Sequence, residues 1–134
     1  METILLVEDS KFLRIATERA LTKAGYQVIC AGDGEEAVNL AISRIPDVVL
    51  LDMMLPKLSG PEVLAALKKN PQTLQIPVLV LSSLSQKNEE KLLNDGAAAF
   101  LEKGPLSEDP SLLLKAVKRA LATKPAAKAK QAQS

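Results

Sequence analysis

The feature of this sequence that most constrains its fold is the alternation of short apolar runs with longer amphipathic segments. These runs are continuously apolar rather than interrupted by polar residues. Runs of this kind indicate strands that are covered on both faces, as the strands of a parallel sheet are. We therefore predict five strands, at residues 4–7, 28–31, 48–51, 78–81 and 97–101.

The segments between the runs carry signals of helix ends. Gly25 follows residues 11–24 and Gly96 follows residues 86–94, and glycine is the residue that most often stands just beyond a helix. A proline opens the last amphipathic segment, residues 110–122, whose apolar residues share one face. These three segments are predicted to be helices.

A further helix is predicted after the third run, where Ser59 and Glu62 form the S-x-x-E pattern of a capping box and Pro61 suits the first turn. Together with the helix-length segment between the second and third runs, the pattern contains five repeats of a strand followed by a helix, which predict an α/β fold. We expect a (βα)5, doubly wound domain, in which right-handed crossovers place helices on both faces of a five-stranded parallel sheet.

The domain boundary is predicted from a change in composition. The 134 residues are enough for one domain. Residues 123–134 are rich in lysine, alanine and glutamine and contain no large apolar side chain, so they bury too little surface to fold alone. We expect a folded domain at residues 1–122, followed by a disordered tail or truncated linker at residues 123–134.

The composition excludes several classes of function. The 2% of aromatic residues and the net charge of +1 disfavour direct binding of nucleic acid. The sequence contains no histidine, which rules out Ser-His and Cys-His nucleophiles and zinc sites with histidine ligands. Cys30 is the single cysteine, which fits a reducing compartment. Without a signal-like leader or a bilayer-length apolar run, we expect a cytoplasmic protein with no membrane partner.

Polar residues that could carry chemistry stand where the predicted strands end. Glu8 and Asp9 follow the first run, Asp52 follows the third, Ser82 follows the fourth, and Lys103 comes shortly after the fifth. Ligands of open parallel sheets bind at the carboxyl ends of the strands. We expect the first and third strands to be neighbours, which brings three carboxylates together beside a hydroxyl and an ammonium.

Three clustered carboxylates repel one another and favour a bound cation. Oxygen ligands with few protein donors suit Mg²⁺, which keeps several waters and often bridges to a phosphoryl oxygen. Asp52 could attack phosphorus and form an acyl phosphate, with Mg²⁺, Lys103 and a serine hydroxyl holding the phosphoryl oxygens. Each of these residues also has an ordinary structural interpretation, as a helix cap, turn former or solvated charge, and only their combination is specific.

Five motifs together span about residues 3–122: LLVEDS at 5–10, VVLLDMMLPKLSG at 48–60, IPVLVLSS at 76–83, DGAAAF at 95–100, and the lysine at 103. On these motifs the sequence resembles the receiver domain of two-component response regulators, especially stand-alone receivers of the chemotaxis type. The resemblance implies the strand order 2-1-3-4-5. It also implies a phosphorylated signalling protein rather than an enzyme.

The resemblance implies a role for each residue of the site. Asp52 corresponds to the phosphoacceptor, Lys103 to the lysine that pairs with it, Ser82 to the switch hydroxyl and Phe100 to the switch aromatic residue. The implied Mg²⁺ ligands are Asp9, Asp52 and the backbone carbonyl of Met54, with Glu8 acting through water.

The sequence departs from the family pattern at three places. The acidic pair is Glu-Asp rather than Asp-Asp, and Phe100 lacks the hydroxyl of the tyrosine often found there. Lys103 is followed by Gly104 before Pro105, whereas the family has Lys-Pro in the loop after strand five.

The resemblance also implies partners. The phosphoryl donor is expected to be a sensor histidine kinase or a His-phosphotransfer protein. An unidentified downstream protein is expected to dock on the face formed by residues 86–94, 97–101 and 110–122, with the chain itself a monomer or a dimer promoted by phosphorylation.

Two alternatives to a phosphorylation switch deserve comparison. A degenerate receiver would act as an interaction module without phosphorylation, although Asp52, Asp9 and Lys103 are all intact. An enzyme or redox carrier of related topology is disfavoured by the residues after the first run: they lack the D-x-D pattern of aspartyl phosphatases and the hydroxyl- and glycine-rich phosphate loop of flavodoxins.

Overall fold

The computed structural model describes residues 1–53, 55–82 and 89–122. Its elements, in chain order, are β1 (Thr3–Val7), α1 (Lys11–Lys23), β2 (Gln27–Ala31), α2 (Gly34–Arg44), β3 (Val48–Asp52), α3 (Gly60–Lys69), β4 (Val78–Ser82), α4 (Glu89–Asn94), β5 (Ala99–Glu102), α5 (Lys103–Glu108) and α6 (Pro110–Ala122). Among the described residues, no helix is both long enough and apolar enough to cross a bilayer.

All five strands are parallel and lie in the order β2-β1-β3-β4-β5, which confirms the predicted fold class and strand order. Successive side chains of a strand point to opposite faces of the sheet. Leu5 and Val7 of β1 accordingly pack in one core with α2, α3 and α4, whereas Ile4 and Leu6 pack in a second core with α1 and α6. The continuous apolar runs of the sequence are explained by these two cores.

The predicted helix-end signals are confirmed where the structure describes them. Gly25 and Gly96 both have positive φ, +101° and +114°, which glycine adopts at far lower cost than other residues. Ser59 and Glu62 form a reciprocal capping box at the start of α3. Of the predicted helix at 86–94, α4 accounts for Glu89–Asn94, and residues 86–88 lie outside the described part of the chain, as does the predicted tail at 123–134.

Two details around β5 correct the sequence prediction. The strand begins at Ala99 rather than at residue 97, because the Ala97 amide donates to the Leu92 carbonyl in the turn that ends α4. A six-residue helix, α5, replaces the loop expected after strand five. Pro105 is compatible with this helix because it lies in the first turn, where an amide proton has no intrahelical acceptor.

Candidate functional site

The carboxyl ends of β1 and β3 bring the acidic residues together. Val7 of β1 lies opposite Leu51 of β3. Glu8 follows Val7 and Asp52 follows Leu51, so these two acidic residues are neighbours. Both are nearly inaccessible to solvent, whereas Asp9 is exposed. One carboxylate oxygen from each of the three lies within 4.8 Å of the other two. The predicted convergence of three carboxylates is therefore present in the structure.

Lys103 enters this cluster from the start of α5. Its Nζ lies 2.9 Å from Oε1 of Glu8 and 3.0 Å from Oδ2 of Asp52, so one ammonium bridges the two buried carboxylates. The ammonium lies beside the carboxylates as predicted; its pairing with Asp52 was implied by the family resemblance, and its pairing with Glu8 was not predicted. Because a single bridging ammonium faces three carboxylates, the cluster retains negative charge when all three are ionised.

Burial and neighbouring charges both shift the pKa values of Glu8 and Lys103. Burial raises the pKa of Glu8, the adjacent Asp52 raises it further, and the Lys103 ammonium only partly opposes the rise. Burial by itself lowers the pKa of Lys103, but its hydrogen bonds to Glu8 and Asp52 outweigh this effect and the net pKa is raised. Lys103 therefore remains charged at neutral pH, and it offsets part of the rise in the pKa of Glu8.

The acidic turn after β1, residues 8–10, is held in place by several hydrogen bonds. The Glu8 amide donates to the Ala31 carbonyl at 3.1 Å, and the Ser10 amide donates to Oε2 of Glu8 at 3.2 Å. Nη1 of Arg14, in the first turn of α1, donates to the Glu8 carbonyl at 2.9 Å. Arg14 was not among the residues predicted from the sequence, because its partner is a backbone carbonyl, which has no signature in the sequence.

Ser82 and Phe100 lie on adjacent strands near the same edge of the sheet. Ser82 is the last residue of β4 and is buried, and Phe100 of β5 lies opposite Val80. By strand alternation, Val80, Ser82 and Phe100 all fall on one side of the sheet. Phe100 is half-buried against the core that contains α3 and α4. The two predicted switch residues are thus diagonal neighbours across β4 and β5.

The loop after Asp52 is packed tightly against the start of α3. The Gly60 amide donates to the Met53 carbonyl at 3.0 Å, and a Cβ at Gly60 would lie 2.6 Å from Cα of Met53 and 2.8 Å from the Asp52 carbonyl oxygen. Glycine is required here because a larger residue would push this loop away from α3. Met54, predicted to offer its carbonyl to a metal, lies outside the described residues.

The donor set of the cluster fits Mg²⁺. Its three ligand atoms are carboxylate oxygens, the hard donors that Mg²⁺ prefers, and two of them belong to buried residues whose mutual repulsion a cation relieves. A site with so few protein ligands leaves room for waters and for a phosphoryl oxygen, which is typical of Mg²⁺ at phosphoryl-transfer sites.

A cavity of about 320 Å³ adjoins the cluster between α1 and α6. Glu8 and Lys103 form its polar end, while apolar side chains, including Phe12 and Leu113, form most of the rest. Phe12, which is 78% exposed, lies where this cavity opens to solvent. The surface next to the carboxylates therefore offers an apolar contact area.

Comparison with known proteins gives a consistent result. The sequence model described as "Response regulator receiver domain" matches residues 4–130. A gliding motility regulatory protein of Myxococcus xanthus is 45% identical over 105 residues, 77% of this chain and 13% of that protein. The polar-differentiation response regulator DivK of Brucella anthropi is 32% identical over 107 residues, 79% of this chain and 86% of that protein.

Similarity extends to solved structures. The receiver domain of sensor histidine kinase PA1611 from Pseudomonas aeruginosa, crystallised with a magnesium ion coordinated in its active site cleft, has a TM-score of 0.81 and 27% identity, covering 91% of this chain and 98% of that chain. The present chain spans 13, 32 and 48% of the length of three of the curated relatives it matches.

Proposed function

The chain belongs to the response regulator receiver domain family, whose members act in two-component signalling, and from this premise we propose that Asp52 is its phosphoacceptor. The observation that carries the proposal is the 3.0 Å pairing of this buried carboxylate with Lys103, within the Glu8–Asp9–Asp52 cluster. The donor we propose is a phosphohistidine, presented by a sensor histidine kinase or a His-phosphotransfer protein.

The transfer requires a nucleophile and compensation of negative charge. An oxygen of the Asp52 carboxylate attacks phosphorus while the P–N bond to the donor imidazole breaks, and the imidazole nitrogen keeps the electron pair. The Lys103 ammonium binds a phosphoryl oxygen, and the Ser82 hydroxyl donates to another. The product is an acyl phosphate on Asp52, with the free histidine of the donor restored.

When bound, Mg²⁺ supplies further neutralisation of the phosphoryl oxygens. We assign its direct protein ligands to Asp9, Asp52 and the backbone carbonyl of Met54, with Glu8 acting through water. The indirect role of Glu8 is supported by its contacts, because one of its oxygens already pairs with Lys103 and the other accepts the Ser10 amide. Asp9 is exposed and has no comparable ion pair among the described contacts.

The proposed output is a change in partner binding. A dianionic phosphate on Asp52 attracts the Ser82 hydroxyl, because hydrogen bonds to charged acceptors are the stronger ones. Movement of Ser82 opens space beside Phe100, which turns further into the core. The affected face comprises residues 86–94, 97–101 and 110–122 of the receiver at 1–122, and a downstream protein or a second copy of the chain binds there.

The proposal is tested with a small phosphodonor, which removes any need for the cognate kinase. The protein is incubated with acetyl phosphate, with Mg²⁺ or with a chelator, and its intact mass is measured. We expect one phosphoryl group on the wild type with Mg²⁺, none with the chelator, and none on Asp52→Ala. Asp95→Asn removes an exposed carboxylate and serves as the control, which should behave like the wild type. Phosphorylation of Asp52→Ala would overturn the assignment.

A further inference from the structure

An arginine outside the carboxylate cluster is connected to it through the backbone. We propose that Arg14 is a positioning residue, which holds the peptide bond between Glu8 and Asp9 so that the carboxylates of both residues face Asp52. The proposal rests on the function proposed above, because it concerns how the same site is prepared to bind Mg²⁺.

The hydrogen bonds of the acidic turn show what Arg14 adds. The pairing of β1 with β2 ends at Val7 and Ala31, and the Glu8 amide still donates to the Ala31 carbonyl. The Glu8 carbonyl lies beyond this ladder and instead accepts from Nη1 of Arg14 at 2.9 Å. Because a peptide bond is planar, holding this carbonyl also fixes the orientation of the Asp9 amide and the position of the Asp9 Cα, from which the Asp9 side chain extends.

Local electrostatics disfavour a cation at the position of Arg14. Helix α1 begins at Lys11, its first turn contains no acidic residue, and the N-terminus of a helix carries partial positive charge that repels cations. A cation placed where the helix dipole disfavours it is usually compensated by other contacts or serves a function. Here the compensating contact is the Glu8 carbonyl, which accepts from Nη1 of Arg14 at 2.9 Å.

A second element of the fold is shaped to accommodate the guanidinium. A Cβ at Gly32, just after β2, would lie 3.2 Å from Nη1 of Arg14, closer than most contacts of this type. Gly32 does not have the positive φ that would by itself require glycine. The absence of a side chain at Gly32 therefore leaves space for the Arg14 guanidinium. Helix α1 and the segment after β2 both contribute to its position.

The experiment measures Mg²⁺ affinity alone, by titrating the metal and following backbone amide shifts without a phosphodonor. We expect Arg14→Met to bind Mg²⁺ about 10- to 100-fold more weakly, the usual effect of losing a residue that supports a metal ligand. Arg19→Met, which removes an exposed cation from the same helix, is the matched control and should bind within about twofold of the wild type. Similar affinities for Arg14→Met and Arg19→Met would overturn the proposal.

Gly32→Ala provides an independent perturbation that leaves Arg14 in the sequence. Gly32→Ala would displace the guanidinium by a few tenths of an ångström. We expect Gly32→Ala to weaken Mg²⁺ binding when Arg14 is present and to have no further effect in Arg14→Met, because the close contact requires the guanidinium. Additive losses in the double variant would contradict the proposal, since they would mean that the two residues act separately.

A phosphorylation assay with acetyl phosphate distinguishes a positioning role of Arg14 from a general loss of folding in Arg14→Met. In Arg14→Met, the Mg²⁺ concentration that gives half the maximal rate should rise by the same factor as the dissociation constant, while the rate at saturating Mg²⁺ recovers to near the wild-type value. A loss that saturating Mg²⁺ does not restore would overturn the positioning role. If the wild type itself is not phosphorylated but the affinities differ as expected, the function proposed for Asp52 fails and the role of Arg14 stands.

Discussion

Nζ of Lys103 lies 2.9 Å from Oε1 of Glu8, although 95 positions separate the two residues in the chain. The same ammonium lies 3.0 Å from Oδ2 of Asp52. Lys103 is therefore shared between two buried carboxylates. In the phosphotransfer proposed for Asp52, the ammonium would already stand beside the new negative charge, so little rearrangement would be needed to stabilise it.

The first prediction concerns the stability that Lys103 provides. In Lys103→Met, two buried carboxylates lose their shared cation, and we expect the free energy of unfolding to fall by about 2–4 kcal/mol at neutral pH in a chelator. Lys91→Met, which breaks an ion pair with Asp95 at the surface, is the control and should cost less than about 1 kcal/mol. Urea denaturation measures both values, and equal losses would show that the buried bridge contributes no more than the surface pair.

Mg²⁺ should restore part of the stability lost in Lys103→Met, because a cation that binds only the folded state stabilises it by mass action. The increase in the urea midpoint on adding Mg²⁺ should be larger in Lys103→Met than in the wild type, where the ammonium already offsets part of the charge. A smaller increase would indicate that Lys103 supports the metal site rather than competing with it.

The second prediction concerns the switch. Ser82→Ala should still be phosphorylated at Asp52, because the nucleophile and Lys103 are unchanged, but the signal should no longer reach Phe100. Beryllofluoride, a mimic of the phosphoryl group, should shift the amide resonances of β5 and α6 in the wild type and shift them much less in Ser82→Ala. Coupling energies are typically about 1–3 kcal/mol, so a partial loss is measurable. If the shifts in the wild type are confined to the loops around Asp52, coupling from Asp52 through Ser82 to Phe100 is ruled out.

The third prediction distinguishes protein donors from small donors. Phe12 is 78% exposed and lines the cavity whose polar end is Glu8 and Lys103, so we expect a phosphohistidine protein that docks over this site to contact it. Phe12→Ser should slow transfer from a His-phosphotransfer protein about tenfold or more, the effect of losing an aromatic residue from an interface. Acetyl phosphate should react at the unchanged rate, and Ile42→Ser, on α2, should leave both reactions unchanged. A matching loss with acetyl phosphate would place the effect of Phe12 on the site itself.

The fourth prediction concerns the single cysteine. Burial raises the pKa of Cys30 to about 11, and the Glu18 carboxylate contributes to the rise. Only the thiolate reacts, so near pH 8 the reactive fraction is lower than for an ordinary thiol of pKa about 8.5 by about two orders of magnitude. Alkylation by iodoacetamide should therefore be slow near neutral pH and should accelerate continuously as the pH approaches 10. Glu18→Gln should speed alkylation near pH 8, whereas a rate independent of pH would show that access, not ionisation, limits the reaction.

Most of the fold could be predicted from the sequence because burial and helix ends leave direct signatures. The apolar run at 48–51 is covered on both faces in the structure, and the Ser59–Glu62 capping box forms as the spacing indicates. The short helix α5 could not be predicted, since Gly104 and Pro105 are typical of a loop and only the first-turn position makes the proline compatible with a helix. Strand order was inferred from the resemblance, because short apolar runs do not determine which strands pair.

The site was predictable to the extent that it depends on side chains at strand ends. Glu8, Asp52 and Lys103 converge because parallel strands end at one edge of a sheet. The contribution of Arg14 was not predictable, because its partner is a backbone carbonyl, and a carbonyl has no signature in the sequence. The contact between Lys103 and Glu8 depends on where α5 begins, which the sequence pattern did not indicate.

The role of Asp52 as phosphoacceptor is tested most directly by locating the phosphoryl group chemically. Borohydride reduces an aspartyl phosphate to homoserine, which marks the modified position permanently, and tandem mass spectrometry of the peptides then identifies it. After incubation with acetyl phosphate and Mg²⁺, we expect homoserine in place of Asp52 and of no other acidic residue, and none when a chelator replaces Mg²⁺. Homoserine in place of Asp9, or phosphorylation that persists without Mg²⁺, would contradict the assignment of Asp52 and its metal.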